Sequence, residues 1–246
     1  MKQRWPGFAL IVVLLVLWEV ASRQAWVDPL TVPPVSSIFA SWWEGLVSGD
    51  LLSAVGPTLR RLAMGLALAV VVGILVGLLM GTVPLAYRLL EPITEFIRPI
   101  PSSAYIPVAI LFLGLGDEMK VTVIFLACLF PVLLNTYAGV RAVDRVLVDT
   151  GRTFGVVGLK AIWQIVLPAA TPSIMTGIRV SLGISLIVAV IAEMLAGNSG
   201  IGYMILDSQR TFQVAGVFGG IFTLGVLGYL LNTGFLRVEH RLLRWR

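Results

Sequence analysis

The sequence predicts an all-α membrane protein with six transmembrane helices. Of its 246 residues, 58% are hydrophobic and 13% are charged, whereas soluble domains carry roughly 25% charged residues. Several uncharged runs approach the ~20 residues that a helix needs to cross the hydrocarbon core. Lysine and arginine are concentrated in some connections and sparse in others, which is typical of a multi-pass membrane protein.

A first apolar run, residues 7–22, follows Lys2 and Arg4. The charged start and apolar middle resemble a signal peptide, but Glu19 and Arg23 follow where a small-residue cleavage site would stand. We therefore predict a first membrane helix that is retained.

The next segment is not uniformly apolar. Pro33-Pro34 indicates a turn, and Trp42-Trp43 beside acidic residues indicates an amphipathic helix lying at the membrane surface. Residues 1–56 are therefore predicted to form an N-terminal unit of one transmembrane helix and an interfacial segment. A core of five transmembrane helices is predicted over residues 57–246.

These five helices are predicted from the remaining apolar runs. Their approximate bounds are residues 62–87, 99–116, 121–140, 173–196 and 212–236. Pro101 and Pro107 predict that the helix of residues 99–116 is broken near its start, which is tolerated where the backbone lines a wet cavity. The connections 88–98 and 197–211 are predicted to be polar.

Four glycines of the second helix, Gly65, Gly73, Gly77 and Gly81, fall on closely related faces. Small residues four positions apart let helix backbones approach closely in a membrane. The spacing therefore predicts a second helix packed tightly along this face.

The distribution of lysine and arginine predicts the orientation. With six helices, both termini lie on one side, and the connections on that side together with the termini hold 13 of the 18 Lys and Arg residues. The positive-inside rule places that side, with both termini, in the cytoplasm.

One cytoplasmic stretch, Asp149 to Pro168, combines charge, glycine bends and bulky apolar residues. Its apolar residues predict two short amphipathic helices bent at Gly155 to Gly158, with Pro168 ending the run. The two helices cannot fully bury their apolar faces on each other. The stretch is therefore either a knob that docks on a cytoplasmic partner or a segment packed under its own helix bundle, and the residues alone favour neither.

The first helix of this stretch has one apolar face and the second has another. The two faces comprise Val143, Leu147, Thr150 and Phe154, and then Leu159, Ile162, Trp163 and Val166.

Catalysis is disfavoured. Gly197 to Gly200 matches the G-x-S-G pattern of intramembrane serine proteases, but Ser199 would need a neighbouring base, and the single histidine, His240, is predicted on the opposite side. One histidine and one cysteine, Cys128, leave too few ligands for a typical metal site, so neither a metal nor a cofactor is expected. The net charge of +5 is unevenly distributed, so binding of nucleic acid is a poor explanation for it. The sequence has no Walker-type loop, so any ATP-driven motor is another chain.

Glu193 is the conspicuous charge in the membrane. Uncharged residues flank it widely, and an ionisable group in a membrane segment indicates function. Glu193 either lines a translocation pathway or reaches the membrane–water interface near the end of its helix, and the sequence favours neither. Asp117-Glu118 is interpreted as a solvated turn.

The loop resembles a known signature. Inner-membrane permeases of binding-protein-dependent ABC importers carry a cytoplasmic loop of the form E-A-A, three residues, G, nine residues, I-x-L-P. Gly155, Ile165, Leu167 and Pro168 stand at the matching spacings, while Asp149-Thr150-Gly151 replaces the opening triplet.

Further segments resemble the nitrate, sulfonate, taurine and bicarbonate branch of these importers. They are residues 30–34, Arg98 to Pro101 with Pro107, Ala192 to Met194, Gly200 to Tyr203, Glu239 to Arg241 and Arg244-Trp245.

The resemblance implies a type I ABC importer permease fold in the bacterial inner membrane, with a coupling helix that inserts into a cytoplasmic ATPase. It further implies two ATPase subunits, an extracytoplasmic solute-binding protein and a second permease subunit, here a homodimer, surrounded by lipid. The expected ATPase-coupling residues are Asp149, Gly151, Phe154, Gly155, Gly158, Leu159, Trp163, Ile165, Leu167 and Pro168; the candidates for the translocation path are Glu193, Pro101 and Pro107.

The expected function is the translocation path for a small solute, an anion such as a sulfonate, taurine, nitrate or bicarbonate. A permease of another importer branch, for a thiamine precursor or an amino acid, is the alternative within transport. An ATP-independent carrier and an intramembrane enzyme are the others.

Overall fold

The computed structural model describes residues 5–28 and 30–243, and each regular element in these ranges is helical. The predicted charged start at Lys2 and Arg4 and the tail from Arg244 lie outside the described residues. The chain divides into two compact units, Met1–Pro57 with Asn198–Leu227 and Thr58–Gly197 with Gly228–Arg246. Two long helices, α3 (Asp50–Thr82) and α11 (Val214–Leu242), contribute to both units.

The first unit contains three further helices, α1 (Trp5–Arg23), α2 (Val35–Ser48) and α10 (Ile201–Arg210). Leu10 to Leu17 of α1 are exposed apolar side chains, as expected of a helix surrounded by lipid. The predicted surface helix is α2, and its Trp42 donates a hydrogen bond from Nε1 to Thr223 Oγ1 of α11 at 3.0 Å.

The second unit contains the remaining helices. They are α4 (Pro84–Ile97), a 3-10 turn (Ser102–Ala104), α5 (Tyr105–Leu113), α6 (Asp117–Arg141), α7 (Arg145–Thr153), α8 (Leu159–Ala161), a π-helical turn (Ile162–Val166) and α9 (Leu167–Ala196).

Among the described residues, four helical segments are long and apolar enough to cross a membrane: α3, α6, the continuous segment from α8 through α9, and α11. A fifth span arises if α4 and α5 are counted as one broken helix, bent by 83°. The break at residues 98–101, which include Pro101, agrees with the predicted interruption, whereas Pro107 lies inside α5 and does not break the helix. The sixth predicted span is the 19-residue α1.

Helices α6 and α9 form the core of the second unit. Cys128 of α6 is fully buried, and its Sγ donates to the Ser181 carbonyl oxygen of α9 at 3.3 Å. Ser181 Oγ donates in return to the Cys128 carbonyl oxygen at 2.8 Å. These reciprocal bonds satisfy polar groups that lipid could not, and Cys128 is the small core residue expected from the sequence.

The glycine face of α3 packs on α6, as the spacing predicts. A Cβ on Gly73 would lie 2.9 Å from Val132 Cβ, and one on Gly77 would lie 2.7 Å from the Leu133 carbonyl oxygen. Gly65 and Gly81 face Ile124 and Val140 in the same way. The absence of side chains at these positions lets the two backbones approach.

Both predicted polar connections contain helices. The 88–98 connection belongs to α4, whose Leu85, Leu89, Ile93 and Phe96 form an exposed apolar stripe opposite its charged residues. The 197–211 connection contains α10, which buries Ile201 and Ile205, four residues apart.

Candidate functional site

Helix α7 is capped at both ends by local hydrogen bonds. Asp144 caps its start, since the Asp144 carboxylate accepts from the Val146 amide at 2.9 Å. At its end, the Val156 amide donates to the Gly151 carbonyl oxygen at 2.9 Å and the Gly155 amide donates to that of Arg152 at 3.0 Å. This is a Schellman motif with Gly155 in the left-handed position, at φ +76°.

Two glycines therefore shape the loop that follows. Gly155 ends α7, and Gly158, with φ +59°, redirects the chain into α8. An L-residue at either position is strained because its Cβ approaches the following carbonyl oxygen. The predicted bend at Gly155 to Gly158 is confirmed.

The second predicted short helix is not separate. From Leu159 the chain is helical without a break to Ala196, so Pro168 does not end the run as predicted. Pro168 lies at the start of α9, directly after the π-helical turn. Proline cannot donate to the carbonyl group four residues earlier, and the wider π-helical turn accommodates that missing bond.

Four large apolar side chains of this loop are exposed, and we call them the loop patch. They are Phe154 (81% exposed), Val157 (58%), Leu159 (75%) and Trp163 (67%). By contrast, Val166 is buried with Val140, Ala170 and Ile174. The structure thus separates the two alternatives left open by the sequence: Val166 anchors the loop to its own bundle, while the loop patch faces outward.

The triplet Asp149-Thr150-Gly151 lies in the middle and last turn of α7. Asp149 is exposed and pairs with Arg152, three residues later in the same helix, at 2.9 Å. Gly151 is buried, and a Cβ there would lie 2.2 Å from Ile165 Cδ1. The tip of Ile165 thus occupies the space of the side chain that Gly151 lacks.

A second cluster lies inside the bundle, around Glu193. Glu193 is 0% exposed and accepts from Arg61 Nη1 at 2.7 Å. Thr58 Oγ1 contacts both carboxylate oxygens, at 3.0 and 2.9 Å. Glu193 is therefore enclosed within the protein in this conformation and does not reach the interface.

Arg61 links Glu193 of α9 to α6. Its Nε donates to Asp117 Oδ1 at 2.7 Å, and Arg60 also pairs with Asp117. Asp117 thus bridges two arginines from α3, which the interpretation of Asp117-Glu118 as a solvated turn did not include, while Glu118 is exposed as expected. Lys120 is 1% exposed, and its Nζ donates to the Leu115 carbonyl oxygen at 3.0 Å. Sequence reasoning missed these partners, because Arg61 and Glu193 are 132 positions apart.

The bend between α4 and α5 opens a cavity of about 410 Å³. Its lining combines residues of the bend with residues of α6 and α9. They are Arg98, Ile100, Ser102, Tyr105, Leu126, Ala127, Phe130, Pro131, Leu134 and Ile184. Pro101, a predicted pathway residue, lies between two lining residues and sets the start of the 3-10 turn, and Pro107 is exposed on α5.

Comparisons with known proteins converge on one family. The family model described as "Binding-protein-dependent transport system inner membrane component" matches residues 69–244. The putative aliphatic sulfonates transport permease SsuC of Escherichia coli K12 is 34% identical over 98% of this chain and 91% of its own length. The taurine transport system permease TauC of the same strain is 30% identical over 100% of this chain and 94% of its own length.

The fold matches as well. A chain of the MetNI methionine ABC transporter, solved in inward-facing conformations, superposes with a TM-score of 0.70 at 17% identity. The superposition covers 78% of this chain and 95% of that one. The predicted permease fold is confirmed.

Proposed function

Because the chain belongs to the family of binding-protein-dependent transport system inner membrane components, it is a multi-pass permease subunit of an ABC importer, and we propose that it conducts small organosulfonate anions. As in its family, ATP hydrolysis takes place on separate ATPase subunits, and a binding protein delivers the solute. The similarity to the SsuC and TauC permeases along nearly the whole chain carries the choice of substrate.

Uptake by the complete importer tests the substrate. Cells without sulfonate importers of their own, expressing this chain with its ATPase and binding protein, are expected to accumulate radiolabelled ethanesulfonate. Omitting the binding protein should abolish uptake. Accumulation of nitrate or bicarbonate, with none of ethanesulfonate or taurine, would contradict the proposal.

The loop patch is proposed to be the surface that couples transport to the ATPase. Four exposed apolar side chains belong to a loop that follows the end of α7 at Gly155 and is anchored through Val166. Exposed aromatic anchors of this kind dominate the energy of protein interfaces. Of the expected coupling residues, Phe154, Leu159 and Trp163 would contact the ATPase directly. Gly151, Gly155, Gly158 and Ile165 would set the shape of the loop.

The loop and both termini are proposed to be cytoplasmic, as 13 of 18 Lys and Arg residues favour. A cysteine introduced at Val157, which is exposed, should react with a membrane-impermeant maleimide in inside-out vesicles and not in intact cells. Cys128 is buried, so the unmodified chain provides the background. Labelling in intact cells alone would reverse the orientation.

The importer is proposed to contain two copies of this permease. Two permease subunits are implied by the family resemblance, and one chain can supply both. The purified complex should have a native mass equal to two of these 26.6 kDa chains plus two ATPases. A complex with one copy and a different permease chain would contradict the homodimer.

A further inference from the structure

The cavity at the α4–α5 bend has the size and chemistry of a small-ligand site. Its volume of about 410 Å³ falls within the ~300–1,000 Å³ typical of such sites. Of the ten lining residues, seven are apolar and three are polar, the latter being Arg98, Ser102 and Tyr105. Arg98 is the one charged residue of this lining.

Arg98 takes part in a weak, exposed ion pair. It pairs with Glu95 three residues earlier at 3.2 Å, and both side chains are 51% exposed. Exposed pairs of this kind contribute at most about 1 kcal/mol, so the guanidinium can exchange Glu95 for another anion at small cost. This contrasts with Arg61, which is buried between two carboxylates.

The remaining walls are apolar and come from two rigid helices. Phe130, Pro131 and Leu134 of α6 and Ile184 of α9 line the cavity away from the bend. A ligand that matches this lining carries an anionic group that binds the guanidinium of Arg98 and an aliphatic chain that packs on the apolar residues. A guanidinium can bind two oxygens of one anion in parallel.

We propose that this cavity binds the transported organosulfonate, with the sulfonate on Arg98 and the alkyl chain along α6. The inference rests on the proposed function and extends it, because it assigns chain-length selectivity to the permease itself. It predicts that alkanesulfonates bind better than inorganic sulfate, which has no tail.

Binding to the permease–ATPase complex, without the binding protein, tests the cavity separately from delivery. The complex in lipid nanodiscs would be titrated with radiolabelled methane-, propane- and pentanesulfonate. Each added methylene should tighten binding about fourfold, if it is buried as in a protein interior. Arg98→Gln should weaken binding about tenfold or more, through loss of a charged hydrogen-bond donor.

Arg88→Gln is the matched control. It removes an arginine charge from α4, the helix that ends directly before Arg98. Arg88 is exposed and lies outside the cavity lining, so its loss should leave affinity within about twofold, since single exposed charges contribute little. Arg98→Lys keeps the charge without the fork and should lie between the two. Gel filtration of each complex separates misassembly from lost binding.

Several outcomes would overturn the cavity assignment. They are equal affinity of the Arg98→Gln and Arg88→Gln complexes, affinity independent of chain length, and no binding to the unchanged complex. Each is compatible with ethanesulfonate uptake by whole cells, so the cavity can fail while the proposed function holds. If whole cells import no sulfonate, it is the proposed function that fails.

Discussion

Gly155→Val is expected to reduce ATP-driven uptake at least tenfold while the protein remains in the membrane. Gly155 has φ +76° and its amide is bonded in the Schellman motif that ends α7. An L-residue in this conformation costs about 1–2 kcal/mol, and a β-branched one is a still greater outlier. This backbone strain falls on the exposed loop and not on the helix bundle. We therefore expect the loop to change conformation and the loop patch to lose its arrangement.

The measurements are uptake, membrane level and co-purification of the ATPase with the permease. Uptake and co-purification should fall at least tenfold, since displacing aromatic anchors typically costs 2 kcal/mol or more, at an unchanged membrane level. Gly183→Val is the control, because Gly183 lies in α9 with open space around it and without a positive φ.

Gly155→Asn distinguishes backbone from side-chain effects at the same position. Asparagine tolerates the left-handed conformation better than other L-residues, and a Cβ at Gly155 meets nothing within 4 Å. Gly155→Asn should therefore retain more uptake than Gly155→Val. Normal uptake by the valine variant would refute the coupling assignment, and equal loss in both variants would show that φ is not the cause.

Periodic patterns within one segment were predictable from the sequence. The glycines of α3, the apolar spans and the bend at Gly155 to Gly158 are local signals, since each depends on spacing along one or two turns. The tight packing of the face with Gly73 and Gly77 follows from such spacing, whereas α6 as the partner helix is known only from the structure. The same holds for α2: Trp42-Trp43 beside acidic residues predicts a helix, and a helix spans Val35–Ser48.

Contacts between residues that are distant in sequence could not be predicted, and neither could helices with a weak apolar pattern. The partner of Glu193 is Arg61 of α3, and no spacing rule connects them. The capping carboxylate of α7 is that of Asp144, a residue outside the recognised signature. Gly151 departs from the E-A-A pattern in a way that only the position of Ile165 explains.

Arg61→Met is expected to destabilise the protein more than any other single change in the Glu193 cluster. Arg61 is 2% exposed and contacts both Glu193 and Asp117 at 2.7 Å. Removing one member of a buried ion pair typically costs about 3–5 kcal/mol, because the other charge stays buried. The thermal midpoint of the purified permease and its membrane level should both fall.

Glu193→Gln should cost less, about 1–3 kcal/mol, because glutamine keeps the volume and can still accept from Thr58. Arg61 also keeps Asp117 as a partner in this variant. If Glu193 is structural, uptake per folded molecule stays normal. A lower uptake per molecule at unchanged stability would instead support the prediction that Glu193 belongs to the translocation path.

The double variant Arg61→Met/Glu193→Met decides what the pair contributes. Replacing both charges by apolar side chains removes the desolvation cost together with the attraction, so stability should recover most of the loss seen in Arg61→Met. Asp117 remains paired with Arg60. A double variant as unstable as Arg61→Met would show that the loss comes from packing or from Asp117. A stable double variant without uptake would mean that the charges serve transport, since the fold could then form without them.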